Sequence, residues 1–151
     1  MKARIPELSL RTTFMVGFPG ESEEQFEELC RFIKDIEFDK MGCFAFSPEE
    51  DTPAFDFNNQ IEDNIKKRRA EVIMDIQYSI TEKANKRKIG NTYKVIIDGC
   101  DDGKYIGRSY LDSPEIDSGI IISSDKKHSI GEFITVRITD YDGYDLIGVE
   151  I

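Results

Sequence analysis

The order of the hydrophobic segments near the start of the chain constrains its fold more than any other feature. An apolar run at residues 10–18 ends at a Gly-Phe-Pro-Gly break, and a second apolar run follows at residues 41–46. Between them, Ser22 and Gln25 form a capping-box pattern, and an apolar stripe at helical spacing follows. Strand, helix and strand in this order predict a βαβ unit with parallel strands and a right-handed crossover. A lone βαβ unit cannot cover both faces of its sheet, so we expect missing upstream structure and exposed apolar patches.

From residue 62 onward, the sequence predicts one long helix followed by a series of short strands. A helix is predicted at residues 62–88, and its basic cluster at residues 66–69 is expected to be a solvated face. The strands predicted after it are residues 93–98, 105–109, 119–123, 132–140 and 145–151. Five short strands separated by Asp, Gly, Pro and Ser turns are typical of a small closed antiparallel barrel. The predicted class is therefore α/β plus all-β, with domains at residues 1–90 and 91–151.

The acidic charge restricts the kind of partner. The formal net charge is −10, which argues against a general nucleic-acid binder because phosphate contacts need clustered Lys and Arg. From residue 92 onward, 12 acidic residues stand against 6 basic ones, which gives this part a charge of −6. Such a charge suits a basic protein partner, although solubility alone also explains it. No segment has the apolar length of a membrane span or signal peptide, so a cytoplasmic location and no membrane partner are expected.

The three cysteines and the single histidine form no recognisable site. Cys30, Cys43 and Cys100 lack the CxxC or CxxxCxxC spacing of metal and cluster sites. Cys100 is predicted to lie in a turn. His128 also falls in a predicted turn and is expected to be exposed and inert. We therefore predict no catalytic residue and no metal ligand.

Four stretches of the sequence, taken in order, resemble the RimO branch of the radical-SAM methylthiotransferases. They are LRTTFMVGFPGE at residues 10–21, GCFAFSPEEDTPA at 42–54, GRSYLDSPEID at 107–117 and YDLIG at 144–148. The first two resemble a late strand and turn of the family's barrel and the strand and loop that follow. The last two resemble a segment of its TRAM domain and the closing strand. The resemblance implies the incomplete C-terminal part of a radical-SAM (β/α) barrel, followed by a five-stranded antiparallel OB-like TRAM barrel.

The resemblance also implies a reaction for the parent enzyme. That enzyme would insert sulfur and a methyl group at the β-carbon of an aspartate in small-subunit ribosomal protein twelve. It would use S-adenosylmethionine and two 4Fe–4S clusters held by cysteine thiolates. Because this chain has neither set of cluster cysteines, we expect it to be inactive alone and to need the missing N-terminal and cluster domains as partners. Met1 is expected to mark a truncated or split gene, or an engineered segment.

The resemblance places part of a cofactor pocket at the C-terminal ends of the first two strands, where barrels bind ligands. The expected cofactor-binding residues are Arg11, Thr13, Val16, Gly17, Phe46 and Ser47. Gly17 would let the backbone approach the cofactor, and Val16 and Phe46 would contact adenine. Arg11 could meet a carboxylate. Simple packing is the competing explanation, particularly for Val16.

The acidic barrel and the resemblance together predict a docking surface for the basic ribosomal protein. The expected docking residues are Arg108, Tyr110, Asp112, Glu115 and Asp117. A solvated loop around Pro114 is the competing explanation. The alternative function is a non-catalytic TRAM-type module that binds RNA, such as tRNA, or a ribosomal protein. RNA is the less expected partner because the barrel is acidic.

Overall fold

The computed structural model describes residues 4–5, 8–114 and 116–151. Its elements are β1 (Arg11–Val16), α1 (Glu23–Ile36), β2 (Lys40–Ala45), a 3-10 turn (Pro53–Asp56), α2 (Asp63–Lys88), β3 (Thr92–Asp101), β4 (Lys104–Arg108), β5 (Ile120–Ser123), β6 (Phe133–Asp142) and β7 (Asp145–Glu150). They fall into two compact units, Met1–Ile80 and Thr81–Ile151, and the change of unit lies inside α2. No helix in the described ranges is long and apolar enough to cross a membrane.

The first unit contains the predicted βαβ arrangement. β1 and β2 are parallel neighbours, in register from Arg11 with Lys40 onward, and α1 connects them in the sequence. α1 begins at the predicted capping box, where Ser22 Oγ accepts from the Gln25 amide at 3.3 Å and Gln25 Oε1 accepts from the Ser22 amide at 3.0 Å. The reciprocal bonds satisfy two amides that a helix start leaves without partners. The buried core of this unit consists of Val16, Phe26, Ile33, Ile73 and Ile80.

The opposite face of β1 and β2 is open to solvent. Met15 and Phe44 are register partners, and they are 56% and 63% exposed. Side chains alternate along a strand, so Arg11 and Thr13 share the face of Met15, and both are exposed. The expected exposed apolar patch of the βαβ unit is therefore present.

The second unit contains a closed five-stranded barrel in the order β3-β4-β5-β7-β6. Its core consists of Val95, Ile97, Ile120, Ile122, Ile134, Val136, Ile138 and Leu146. The five predicted strands are all present in a closed barrel, and neighbouring strands are antiparallel as predicted except for β5 and β7, which pair in parallel. Strand direction cannot alternate around a closed ring with an odd number of strands. At least one parallel pair is required, and β7 provides it by pairing between β6 and β5.

The β3–β4 hairpin extends further than predicted and includes Cys100. β3 continues past an irregularity between Ile97 and Gly99, and Cys100 then pairs with Tyr105. The chain reverses at Asp102 and Gly103, whose φ angles are 44° and 75°. Two positive φ values are characteristic of the type I′ turn, whose twist matches that of paired strands. The placement of Cys100 in a turn was therefore wrong, because the tight turn lets the ladder continue to Asp101.

Candidate functional site

Alternation along β1 separates the predicted cofactor-binding residues of this strand. Arg11 and Thr13 are exposed on the open face of the sheet. Val16 is fully buried in the core with residues of α1 and α2. Because neighbouring strand residues point to opposite faces, Val16 has no accessible surface for the adenine contact expected of it.

The remaining predicted residues follow the strand ends, and α2 adds an unexpected side chain there. Gly17 is buried with φ of 76°, Phe46 is 9% exposed, and Ser47 is exposed. The Phe46 amide donates to the carbonyl of Val16 at 2.8 Å, which extends the pairing of the two strands. Lys66 lies against Gly17 so closely that a Cβ added to the glycine would be 2.2 Å from Lys66 Cγ. The strand ends are therefore closed by a lysine side chain.

Lys66 is nearly buried, although the basic cluster was predicted to be solvated. Its ammonium lies 5.8 Å from the centroid of the Phe46 ring and 2.7 Å from Asp63 Oδ1. The side chain of Lys66 is 5% exposed, whereas that of Asp63 is 80% exposed. The aliphatic stem thus packs on Gly17 while the charge stays paired at the surface, as is usual for lysines at the edge of a core.

Arg69 from the same basic cluster fixes the turn after β1. Its guanidinium contacts Glu21 Oε1 at 2.6 Å and Glu23 Oε2 at 2.9 Å. Glu21 Oε1 also accepts from the Gly17 amide at 3.0 Å. Arg69 lies 5.2 Å from the Phe26 ring centroid, so one charged side chain connects α2, the turn and α1.

The burial of both basic residues had a signal in the sequence. Lys66 and Arg69 lie on the same stripe of α2 as the buried residues Ile73, Gln77 and Ile80. The successive spacings of three or four residues mark one helix face. Four consecutive basic residues favour solvent exposure on charge alone, whereas the helical spacing places two of them on the buried face.

The predicted docking residues lie at and after the end of β4. Arg108 pairs with Asp98 of β3, and Tyr110 is 66% exposed with its ring centroid 6.4 Å from that of Tyr93. Glu115 lies outside the described residues. Among the described members of the predicted set, Tyr110 is thus the large side chain that is mostly accessible.

Two of the predicted docking carboxylates organise the loop itself. Asp112 Oδ2 accepts from the amide and hydroxyl of Ser109 at 3.1 and 2.9 Å. Asp117 Oδ2 accepts from the Ser113 amide at 2.7 Å. Side-chain to backbone bonds of this kind stabilise turns. Asp112 and Asp117 therefore shape the segment that carries Tyr110.

A cavity of about 490 Å³ lies beside this loop. It is lined by Asp98, Ile106, Gly107, Arg108, Ser113, Pro114, Asp117, Ser118 and Gly119. Two predicted docking residues, Arg108 and Asp117, are therefore part of one concave surface, whereas Tyr110 and Asp112 are absent from its lining.

The prediction that His128 is exposed was wrong. Its side chain is 5% exposed, with Nδ1 3.0 Å from Glu132 Oε1 and Nε2 3.0 Å from Glu150 Oε2. The neighbouring carboxylates of Glu150 and Glu132 raise the pKa of His128 above 6.5. Hydrogen bonds from Lys126, Ser124 and His128 lower the pKa of Glu150 to about 2. The burial escaped prediction because Glu150 lies 22 residues further along the chain.

The cysteines do not form a cluster site within this chain. Cys30 lies on α1, Cys43 on β2 and Cys100 on β3. Burial raises the pKa of Cys43 to about 11, which disfavours the thiolate that a cluster requires. Among residues 4–5, 8–114 and 116–151, no three His, Cys, Asp or Glu side chains are grouped to hold a metal ion. The described residues therefore do not fit an iron–sulfur cluster.

Comparison with known proteins supplies an independent view of both units. Residues 89–151 match the TRAM domain. Ribosomal protein uS12 methylthiotransferase RimO from Caldanaerobacter subterraneus subsp. tengcongensis is 48% identical over 144 residues, which cover 95% of this chain and 33% of the relative. RimO from Clostridium novyi is 46% identical over 149 residues, covering 99% of this chain and 34% of the relative. The chain thus spans about a third of the length of these curated relatives.

A solved structure is also similar to part of the chain. The apo form of Mycoplasma genitalium RNase R aligns with 60% of this chain and 20% of that chain at 16% identity. Its TM-score of 0.33 is too low to support a conclusion.

Proposed function

Because the chain belongs to the RimO-type methylthiotransferase family, we propose that it is the C-terminal part of a radical-SAM enzyme that methylthiolates an aspartate of ribosomal protein uS12. The barrel would dock the substrate. The observation that carries the proposal is the 48% identity over 95% of the chain to a protein of that name. The parent would work in the cytoplasm with S-adenosylmethionine and two 4Fe–4S clusters, and this chain alone would be inactive.

The open face of β1 and β2 supports a larger parallel barrel in the parent. Parallel strands are almost always covered on both faces, yet Met15 and Phe44 are more than half exposed. Further strands and side chains of the parent would cover this face. We propose the division into residues 1–90, as the end of that barrel, and residues 91–151, as the TRAM domain.

The ends of β1 and β2 would form one edge of the S-adenosylmethionine site. Ser47 is exposed next to these ends and could contact the cofactor, with Gly17 and Phe46 beside it. Thr13 is exposed further back along β1, and Arg11 lies at the opposite end of that strand. S-adenosylmethionine would supply the radical and the methyl group. The ligands for the clusters would come from the rest of the parent, because the described cysteines are not grouped to hold one.

The barrel would recognise uS12 by charge and by an exposed aromatic ring. Its charge of −6 from residue 92 onward would attract a basic ribosomal protein and speed the encounter. Tyr110 would supply the apolar contact, because exposed tyrosines are frequent anchors of protein interfaces. Arg108 and Asp117 would contact polar groups of the partner from the neighbouring cavity.

A titration of the purified chain with purified uS12, at two salt concentrations and with tRNA as competitor, tests this function. We expect salt-sensitive binding to uS12 and no displacement by tRNA. Tyr110→Ser should weaken binding about tenfold or more, whereas the control Tyr78→Ser on α2 should leave it unchanged. Binding to tRNA but not to uS12 would support the alternative of an RNA-binding module. Binding to neither would refute a docking role for this barrel.

A further inference from the structure

The loop between β5 and β6 is fastened to the last residue of β7. Glu150 Oε1 accepts from Lys126 Nζ at 2.8 Å. Its other carboxylate oxygen accepts from Ser124 Oγ at 2.5 Å and lies 3.0 Å from His128 Nε2. Three loop side chains therefore meet one carboxylate that belongs to a distant part of the sequence.

His128 reaches two further groups. Its Nδ1 lies 3.0 Å from Glu132 Oε1, without the alignment of a hydrogen bond. Its ring packs edge-on against Tyr105 of β4 with centroids 5.4 Å apart, and its amide donates to the Tyr105 hydroxyl at 3.0 Å. One imidazole thus contacts β4, β7 and the residue that precedes β6.

The two carboxylates favour one protonation state of the ring. A neutral imidazole has an N–H at only one nitrogen, and the other nitrogen presents a lone pair. With carboxylates beside both nitrogens, a neutral ring would direct that lone pair at Glu132 or Glu150. The imidazolium ion instead carries an N–H at both nitrogens, so neither carboxylate faces a lone pair.

We propose that His128 is a pH-dependent latch that holds the loop at residues 124–132 against β7 when protonated and releases it when neutral. Among the described residues, the charged and titratable groups in contact with the ring are Glu132, Glu150 of β7 and Tyr105 of β4, and Lys126 is paired with the same Glu150. The loop also carries Ile130, which is 76% exposed, so its release would rearrange an apolar surface of the barrel.

The direction of the pH dependence follows from linkage. The pKa of His128 is raised from 6.5, so the latch is fully formed below pH 6.5 and weakens as the pH rises through the raised pKa. The pKa of Glu150 is lowered from 4.5 to about 2, so its contribution is lost only as the pH falls below 4.5 toward 2. The latch should therefore be most stable between about pH 4.5 and about pH 6.5.

The single histidine of the sequence makes the test unambiguous. We would record the imidazole ¹⁵N shifts of His128 by NMR from about pH 5 to about pH 9, and amide exchange protection of the loop over the same range. We expect a His128 midpoint above 6.5 and a loss of loop protection at that midpoint, with constant protection in β3. Each unit by which the pKa is raised allows about a tenfold change in the closing equilibrium. Loop protection that stays constant through the titration would overturn the proposal, and so would a midpoint at or below 6.5.

Two variants and a control separate the latch from general stability. Glu150→Gln should lower the His128 midpoint, and His128→Gln should give a loop whose protection does not change across this pH range. Lys127→Gln, next to the latch, should behave like the unchanged chain. Retention of the pH-dependent protection in folded His128→Gln would refute the latch. If that variant does not fold, an unchanged midpoint in Glu150→Gln would do so.

Discussion

Replacing Gly17 with alanine tests whether the end of β1 is closed by the side chain of Lys66. The new Cβ would be 2.2 Å from Lys66 Cγ, 2.9 Å from its Cβ and 3.0 Å from its Cδ. Non-bonded carbon atoms normally stay roughly 3.5–4.0 Å apart. Because the Lys66 side chain is only 5% exposed, it cannot move aside without disturbing the core.

Gly17→Ala should lower the free energy of unfolding through two separate effects. Overpacking of this kind costs about 1–3 kcal/mol. The positive φ of Gly17 adds roughly 1–2 kcal/mol for a residue with a Cβ. In a Lys66→Ala background, Cγ and Cδ of the lysine are absent, so most of the overpacking cost disappears. The double variant should therefore be more stable than the sum of the single changes predicts, by about 1–3 kcal/mol.

The assay is urea unfolding of the four chains, followed by far-UV circular dichroism. Amide exchange in β1 reports the first unit separately, because the two units need not unfold together. A coupling energy near zero would refute the reasoning, since Gly17→Ala would then be equally costly with and without the lysine stem. The backbone alone would in that case explain the glycine.

Three further substitutions test the packing inside each unit. Ile97→Ala empties a side chain that is 1% exposed and should cost about 2–5 kcal/mol, seen as a lower Tm; an unchanged Tm would contradict the assigned core. Gly148→Ala places a Cβ 2.5 Å from Val136 Cγ1 and 2.9 Å from the Arg137 carbonyl oxygen, so urea unfolding should show a loss of about 1–3 kcal/mol. Ser22→Ala removes the capping bonds of α1 and should cost about 1 kcal/mol, most of which Ser22→Asp should restore.

Local patterns were sufficient for most of the secondary structure. The capping box at Ser22 was predicted from residue types three positions apart, and the structure contains both of its bonds. The predicted helix at residues 62–88 differs from α2 by one residue at its start. These features depend on neighbours within one turn or one hairpin, so the sequence by itself determines them. The resemblance to the RimO-type proteins was predicted from four short stretches, and the 48% identity over 95% of the chain confirmed it.

The contacts that decide the candidate sites were not available from local patterns. Lys66 packs on Gly17, which lies 49 positions earlier in the sequence. Glu150 contacts His128, which lies 22 positions earlier. Asp112, predicted to dock a partner, also binds Ser109 within its own loop. Residue type alone does not tell whether a charged side chain faces water or a partner.

Only the tertiary structure shows which charged side chains are buried and which strands are neighbours in the barrel. A charge can be buried only where another group compensates it, and that group is identified only when distant elements are packed together. The parallel pair of β5 and β7 follows in the same manner, because it arises only when five strands close a ring. The sequence by itself thus determined the elements and the family. Which charges are buried, and what His128 touches, depended on packing between segments that are far apart in the chain.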